Sequence, residues 1–524
     1  MRNIFLAAVL SVFVVASTKA QRTPLMGWSS WNAFGLNINE NVLEEVANAL
    51  VDSGYAKAGY AYLNIDDGFW GGRDSKGNLI FDAKKFPHGM KRVVDYIHNQ
   101  GLKAGIYSDA GQNTCGGDIG VGLYQHDEQD CHLFFNQLNF DFLKVDFCGG
   151  MWKNTNHEPI YEKQRYTEIH DMILKTGGSK INYNVCRWDY PGTWVHDIAD
   201  SWRISHDISC DWSNVKDIIH QGLYLSAYCY GGHYNDMDML EVGRGLTMTE
   251  DKTHFALWCI MDSPLILGCD IRKVSESTRK LLTNRDLISI NQDSLELQGY
   301  VAARKDSCYI LTKDLEQLYG KKRAVAIYNP TEHTVNTILD FSTVDLGGIV
   351  SVRDAFTHKN LGKKKKTMAV TILPHGTCCY ILLATKRLER TNYEGETGYI
   401  SDYQELKNNQ VEKTGIYEDA CGCSGGAKVA WLGCSEQNDL QFRHVHSIKG
   451  GKYKLVIGYT TPDTRNMVVS VNGQDVGNIS VSNSNMKVFI HTLPIRLQKG
   501  DNLIRLSNKE NWMPDIDYIK ILKE

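Results

Sequence analysis

No charge of one sign dominates this sequence. Fifty-seven lysines and arginines face 61 aspartates and glutamates over 524 residues, and the formal net charge is −4. A nucleic-acid binder needs a basic face, so that class is excluded. The run Lys363–Lys366 is too short to make a binding patch and reads as a solvated β-turn. There is no CxxC pair and no His/Cys spacing of the kind that holds zinc. The 14 cysteines do not form a small-domain disulfide framework. Cys131, Cys210, Cys229, Cys259 and Cys269 sit in apolar or strand-like contexts, where a buried free thiol is expected. Cys421 and Cys423, with Cys434 nearby, leave room for one bridge whose connectivity stays open. No GxGxxG opens a helix after a strand, which disfavours a doubly wound nucleotide-binding sheet.

What is present begins with a leader pattern. Arg2 precedes the apolar run Ile4–Ala16, which is too short to span a bilayer comfortably, and Thr18-Lys19-Ala20 offers a small-residue cleavage site before Gln21. Residues 1–20 therefore read as a signal peptide, and the chain is expected to be exported, secreted or periplasmic. No membrane contact is expected after cleavage, since no later segment reads as transmembrane. Apolar content of 42% and charged content of 23% are ordinary for a soluble protein, and the length calls for two to four domains.

Between residues 21 and 298, short apolar runs alternate with helical patterns. Strands are expected at 25–28, 61–65, 103–107, 142–146, 181–185, 202–205, weakly at 232–235, and at 264–267. Segments 40–53 and 87–100 carry apolar residues at helical spacing. Eight strands interleaved with helices predict a (β/α)8 TIM barrel; a doubly wound sheet is the alternative. From 299 to 387, runs such as CYILTKDL and AVAIYNPT predict an antiparallel β-sandwich domain. From 388 to 524, short strands with Gly/Asn turns, including the hairpin signal Asn472-Gly473, predict a further β jelly-roll module.

The strand ends carry the chemistry. Strand 1 brings Trp28 and Trp31, strand 2 ends in Asp66-Asp67 and strand 3 in Tyr107-Ser108-Asp109. Strand 4 ends in Asp146, two residues after Lys144; strand 5 runs into Cys186-Arg187-Trp188-Asp189 and strand 6 into His206-Asp207. Taken singly, an Asp after a strand is an N-cap or turn former, and Asp-Asp can be a metal site. Five strand ends that agree make a barrel mouth of carboxylates, cations and aromatic faces. Sugar hydroxyls need the first two and the C–H face of a sugar ring stacks on the third. Two such carboxyls can also cleave a glycosidic bond.

The stretches TPLMGWSSWNAFG (23–35), YLNIDDGFW (62–70), DSKGNLIFDAKKFPHGM (74–90), GLKAGIYSDAGQNTC (101–115), DFLKVDFCGG (141–150), SWRISHDI (201–208), NDMDMLEVG (235–243), THFALWCIMDSPLILGCDIR (253–272) and LTNRDLISINQD (282–293) run through the barrel in order. With them the chain resembles glycoside hydrolase family 27, the α-galactosidases and α-N-acetylgalactosaminidases. The resemblance implies a retaining exo-glycosidase with Asp146 as nucleophile and Asp207 as acid/base, and no cofactor for catalysis. It implies a sugar pocket of Trp28, Asp66, Asp67, Tyr107, Lys144 and Arg203, with Asp66 and Asp67 on O4 and O6 and Lys144 on the O3/O4 side. Cys115 and Cys148 match a family disulfide beside the nucleophile. Lys144 and Arg203 are expected to help keep Asp146 ionised, and Asp207 to start protonated with the higher pKa of the pair.

Leu36 and Gly68 stand where family members place two bridged cysteines, so one disulfide is lost. Cys186 and Trp188 match the galactosidase type, where they crowd O2; Arg187 and Asp189 depart from it. The expected ligand is a galactose-containing oligosaccharide or polysaccharide. A β-L-arabinopyranosidase shares the same residues and is one alternative; a non-catalytic carbohydrate-binding protein is another. YEGE (393–396), ACGCSGGAKVAWLG (420–433) and NWMPDIDYIKI (511–521) resemble carbohydrate-binding modules of families 6 and 35. That resemblance implies a structural calcium on Glu394, Glu396 and Asp517.

Overall fold

Eight short strands pair in parallel to build the first sheet. They are β1 (Met26–Ser29), β2 (Tyr62–Ile65), β3 (Lys103–Asp109), β4 (Phe142–Asp146), β5 (Asn182–Val185), β6 (Ser201–Arg203), β7 (Tyr234–Asp236) and β8 (Leu265–Leu267). Their order around the sheet is β8-β1-β2-β3-β4-β5-β6-β7. A parallel bridge between Leu240 and Leu267 closes the ring into the expected barrel. Each strand lies within two residues of its expected span at either end. The structure, a computed structural model, describes residues 22–151, 160–404, 406, 413–418, 422–482 and 484–524. The expected signal peptide and Cys421 lie outside the described residues. Among the described residues no helix is long and apolar enough to cross a membrane.

The helices outside the ring follow from capping and periodicity. Helix Glu40–Asp52 starts where the Asn39 side chain accepts the Val42 N–H, and it turns Leu43, Val46, Ala47 and Leu50 inward. Helix Met90–Asn99 buries Met90, Val93, Val94 and Ile97 in the same way. Helix Met248–Ile260 begins with a capping box between Thr247 and Glu250 and is buried on nearly every side. It packs against strands Lys322–Tyr328 and Thr377–Arg387, so it is a core element shared with the next sheet. Lys313 from that sheet makes a buried ion pair with Asp262, Nζ to Oδ1 2.5 Å, across the same junction.

The second region is a six-stranded antiparallel sheet, Tyr300–Lys305, Cys308–Asp314, Lys322–Tyr328, Thr377–Arg387, Leu346–Asp354 and Asn360–Lys365 in spatial order. A two-stranded sheet, Val335–Asp340 with Thr367–Ile372, accompanies it. The lysine run is not wholly a turn: Lys363, Lys364 and Lys365 lie on the exposed edge strand, and only Lys366, with φ of 65°, turns the chain. Lysines suit that place because an edge strand must repel strands of other molecules.

In the third region, strands Gly415–Glu418, Ala427–Ala430, Asp515–Lys523, Gly451–Thr460 and Phe489–Leu497 form one sheet, and Asn392–Glu394 also pairs with Asp515–Lys523. A four-stranded sheet, Leu440–Ser447, Gly500–Ser507, Arg465–Val471 and Gln474–Val481, completes the jelly-roll. Asn472 and Gly473 have φ of 52° and 79° between paired Val471 and Gln474, as the hairpin signal requires.

Candidate active site

Strand register sets the first level of the site. Tyr107 of β3 is paired with Lys144 of β4, and Asp109 with Asp146. Asp66 follows Ile65, which pairs with Ile106, so Asp66, Tyr107 and Lys144 stand side by side. Lys144 Nζ donates to Asp66 Oδ2 at 3.0 Å, lies 3.8 Å from Asp146 Oδ1, and sits 5.5 Å from the centre of the Tyr107 ring. Asp146 Oδ1 is buried and accepts no hydrogen bond from the described residues. Its other oxygen, Oδ2, is 3.2 Å from the Cys115 sulfur.

The Cys115–Cys148 disulfide is formed. It ties the loop after β3 to the turn after β4. Asp109 reinforces the turn: its carboxylate accepts the N–H groups of Gly111, Cys148 and Gly149 at 2.7, 2.8 and 3.0 Å. Asp109, Cys115 and Cys148 lie close enough to resemble a metal cluster, but both sulfurs are spent in the disulfide. Cys434 is a free, exposed thiol, so a bridge among Cys421, Cys423 and Cys434 does not run through it.

The second level comes from β6 and β7. Arg203 is buried; its Nη2 donates to Asp207 Oδ1 at 3.0 Å and to Ser205 O at 3.1 Å, and it pairs with Asp238, whose Oδ2 lies 2.8 Å away. The Asp207 side chain is 69% exposed, so the carboxyl faces the mouth. Asp66, Lys144, Asp146, Arg203, Asp207 and Asp238 all line one cavity of about 380 Å³. Asp67, Tyr107, Trp188 and Arg187 line it too. Asp67 is held firmly in place: Oδ1 accepts Gly68 N and Trp70 Nε1, each at 2.7 Å, and Oδ2 accepts Gly116 N at 2.7 Å.

Burial pushes Asp146 up to about 7, with the Lys144 charge the largest opposing influence. The expectation that two cations hold it ionised is corrected here, because Arg203 is turned to Asp207 and Asp238. Burial also raises Asp238, against the pull of Arg203.

Two pocket assignments change. Trp28 is fully buried, donates its indole N–H to Cys269 O at 2.8 Å and packs on Phe34. The chain turns at Ser30 into the short helix Trp31–Phe34, and it is Trp31 that reaches the cavity. Cys186 is likewise fully buried, with its sulfur 3.7 Å from Arg203 Nη1; it backs the wall that Trp188 lines. Asp238 and Met239 were missed. Both stand in the quoted NDMDMLEVG stretch at a strand that read weakly, and Asp238 has φ of 74°. Leu36 and Gly68 lie side by side, as the expected loss of a bridge between these positions requires: a Cβ on Gly68 would lie 2.8 Å from Leu36 Cα. Lys85 Nζ spans that gap, donating to Leu36 O at 2.8 Å and Gly68 O at 2.6 Å.

In the third region Glu394, Glu396 and Asp517 are each no more than 2% exposed. Glu394 Oε2 and both Asp517 oxygens accept no hydrogen bond from the described residues. A Cβ on Gly425, which has φ of +67°, would sit 2.9 Å from Glu396 Oε1 and 3.8 Å from Glu394 Oε2. Burial, with Glu394 adding to it, raises Asp517 to about 7.

Residues 23–293 match the family described as alpha galactosidase A. The chain belongs to glycoside hydrolase family 27. Residues 306–382 match the alpha galactosidase C-terminal beta sandwich domain, which accounts for the second sheet of this family 27 member. The chain is 37% identical to alpha-galactosidase 2 of Arabidopsis thaliana over 371 residues, 70% of this chain and 90% of that protein. It is 37% identical to alpha-galactosidase A of Cellvibrio japonicus over 399 residues, 71% of this chain and 95% of that protein. The crystal structure of alpha-galactosidase I from Mortierella vinacea superposes with a TM-score of 0.66 at 29% identity, covering 71% of this chain and all of that one.

Proposed function

We propose that this family 27 member is a retaining exo-α-galactosidase. The observation that carries the reading is Asp146. Its buried Oδ1 accepts no hydrogen bond, it is flanked by Lys144 and the disulfide, and it shares one cavity with the mouth-facing Asp207. Asp146 attacks the anomeric carbon while Asp207 hands its proton to the departing glycosidic oxygen. Asp207 then takes a proton from water, which attacks the same carbon, frees Asp146 and leaves the configuration retained. Asp66, Lys144 and Asp67 hold the galactose hydroxyls, and Trp188 closes the side near O2 against an acetamide. Terminal α-D-galactose is the substrate, and the N-acetyl sugar is poorly cleaved.

Azide trapping tests the roles. In Asp146→Ala, azide enters from the vacated face and gives a β-galactosyl azide. In Asp207→Ala, with a dinitrophenyl leaving group that needs little proton help, azide attacks the covalent intermediate and gives the α-azide. Proton NMR of the anomeric signal separates the products, and exchanged outcomes would reverse the assignment.

The acidic cluster of the third region supports a structural calcium. Unpartnered buried carboxylate oxygens on Glu394 and Asp517 are the donor chemistry a hard cation needs. Glu394, Glu396 and Asp517 come from opposite ends of the domain, so the ion would clamp them together. A carbohydrate-binding role for the third region is read from its sequence resemblance: its loss is expected to lower activity on polymer. Export is inferred from the pattern of residues 2–20, and amino-terminal sequencing of the mature protein checks cleavage before Gln21.

A further inference from the structure

The wall of the cavity near O2 is held from outside the barrel. Trp188 lines the cavity with φ of 61°, a left-handed conformation that a bulky residue keeps only when its surroundings fix it. On one side the loop is tied to the sheet, where Cys186 N donates to Val145 O at 2.9 Å. On the other side its partners belong to the third region. Gln404 Nε2 donates to Asp189 Oδ2 at 3.2 Å, and Thr193 Oγ1 donates to Ser401 O at 2.8 Å. Tyr190 is 4% exposed and packs on Tyr403, with ring centres 6.0 Å apart. Tyr403 stacks on Tyr228 of the barrel at 5.8 Å, and Ile400 N donates to Tyr228 Oη at 3.1 Å. Gly192, with φ of +127°, allows the close approach: a Cβ there would meet Gln404 Cβ at 3.0 Å.

We infer that segment 400–404 is a specificity element of the active site. By fixing Asp189, Tyr190 and Thr193 it sets the position of Trp188, and so enforces discrimination at the sugar's C2. Gln404 and Tyr403 act as positioning residues, since neither lines the cavity. The inference rests on the α-galactosidase reading and places the third region in the recognition of small soluble substrates, apart from any role on polymer. Loosening the clamp lets Trp188 retreat. The galactoside then binds less well, and the acetamide of the N-acetyl sugar meets less of an obstacle.

The test uses the full chain carrying Gln404→Ala, Asp189→Ala or both, assayed on an aryl α-galactoside and the matching α-N-acetylgalactosaminide. The ratio of the two kcat/KM values is expected to fall about fivefold in each single variant, and the double variant to fall no further, because the two residues act through one contact. KM for the galactoside carries the change and kcat stays near that of the unmutated protein. Tyr403→Phe keeps the ratio while Tyr403→Ala lowers it, an independent check should the Asp189 variant fold poorly. An equal loss on both substrates with the ratio unchanged, or a double variant equal to the product of the singles, overturns the inference. Failure of the α-galactosidase reading itself shows separately, as an unmutated protein inactive on the aryl α-galactoside.

Discussion

Two clusters of buried carboxylates lie in different domains, and burial raises one member of each, Asp146 and Asp517, to about 7. Their surroundings separate them. At the barrel mouth, Lys144 bridges Asp66 and Asp146, and Arg203 bridges Asp207 and Asp238. In the third region no lysine or arginine among the described residues forms an ion pair with Glu394 or Asp517. A raised carboxyl therefore reports loss of water, not catalysis. Where the protein builds its cations in, carboxylates are placed to react with a neutral guest. Where nearby cations such as Lys520 act on the carboxyls but form no ion pair with them, the cluster suits the cation proposed above.

The contrast breaks hardest at the nucleophile. Asp146→Ala is expected to lower kcat on an aryl α-galactoside by roughly 10⁴-fold or more, whereas Asp517→Asn leaves kcat within about twofold because its cluster touches no reacting atom. Steady-state rates on the two purified variants decide this.

The second contrast is in stability. Asp517 in the folded protein holds its proton above the ordinary carboxylate value of 3.8. Without a cation, the folded state keeps that proton between about pH 4 and pH 7 while the unfolded chain has released it, so stability falls as pH rises through that window. A bound cation favours the carboxylate and cancels the loss. Chelation is therefore expected to lower the melting temperature by about 4 °C near pH 7.5 and by much less near pH 5. Calorimetry with and without chelator reads it, and equal curves at the higher pH would remove the calcium assignment.

A third, smaller effect concerns Lys144. The acid limb of kcat/KM is expected near 7, the value of Asp146, because the nucleophile must lose its proton to attack. Lys144→Met removes the charge that pulls this value down, and the limb should move up by about one pH unit. A pH profile of the residual activity checks the direction. The smallest effect is at Lys85: replacing it with Met should cost about 1 kcal/mol of stability by leaving the Leu36 and Gly68 carbonyls without their donor. Denaturant melts measure that cost, and KM should not move.

The ring of strands was legible because most are short apolar runs delivering a polar residue, a pattern that depends on local sequence. Asp146, Asp207, Lys144 and the Cys115–Cys148 pair were legible through their surrounding motifs. Trp28 was not, since a strand residue and a residue three positions later, past the turn, cannot be told apart by local pattern. Only the bend at Ser30 decides that Trp31 faces the cavity. Asp238 was missed because it lies two residues past a three-residue strand that has no alternation to announce it. The reach of segment 400–404 to the loop after β5 was out of view altogether. It links residues more than 200 positions apart through tyrosine rings and one amide, and no local pattern encodes that.

The first strand of the third region, Asn392–Glu394, finds its partner in Tyr518–Lys520. Segment 400–404 follows that first strand directly, yet the sheet that seats it is completed by residues made more than a hundred positions later. During synthesis the barrel, whose last strand ends at Leu267, can close long before. On the role proposed for segment 400–404, a newborn chain would pass through a stage in which the barrel is closed and its discrimination at C2 is not yet set.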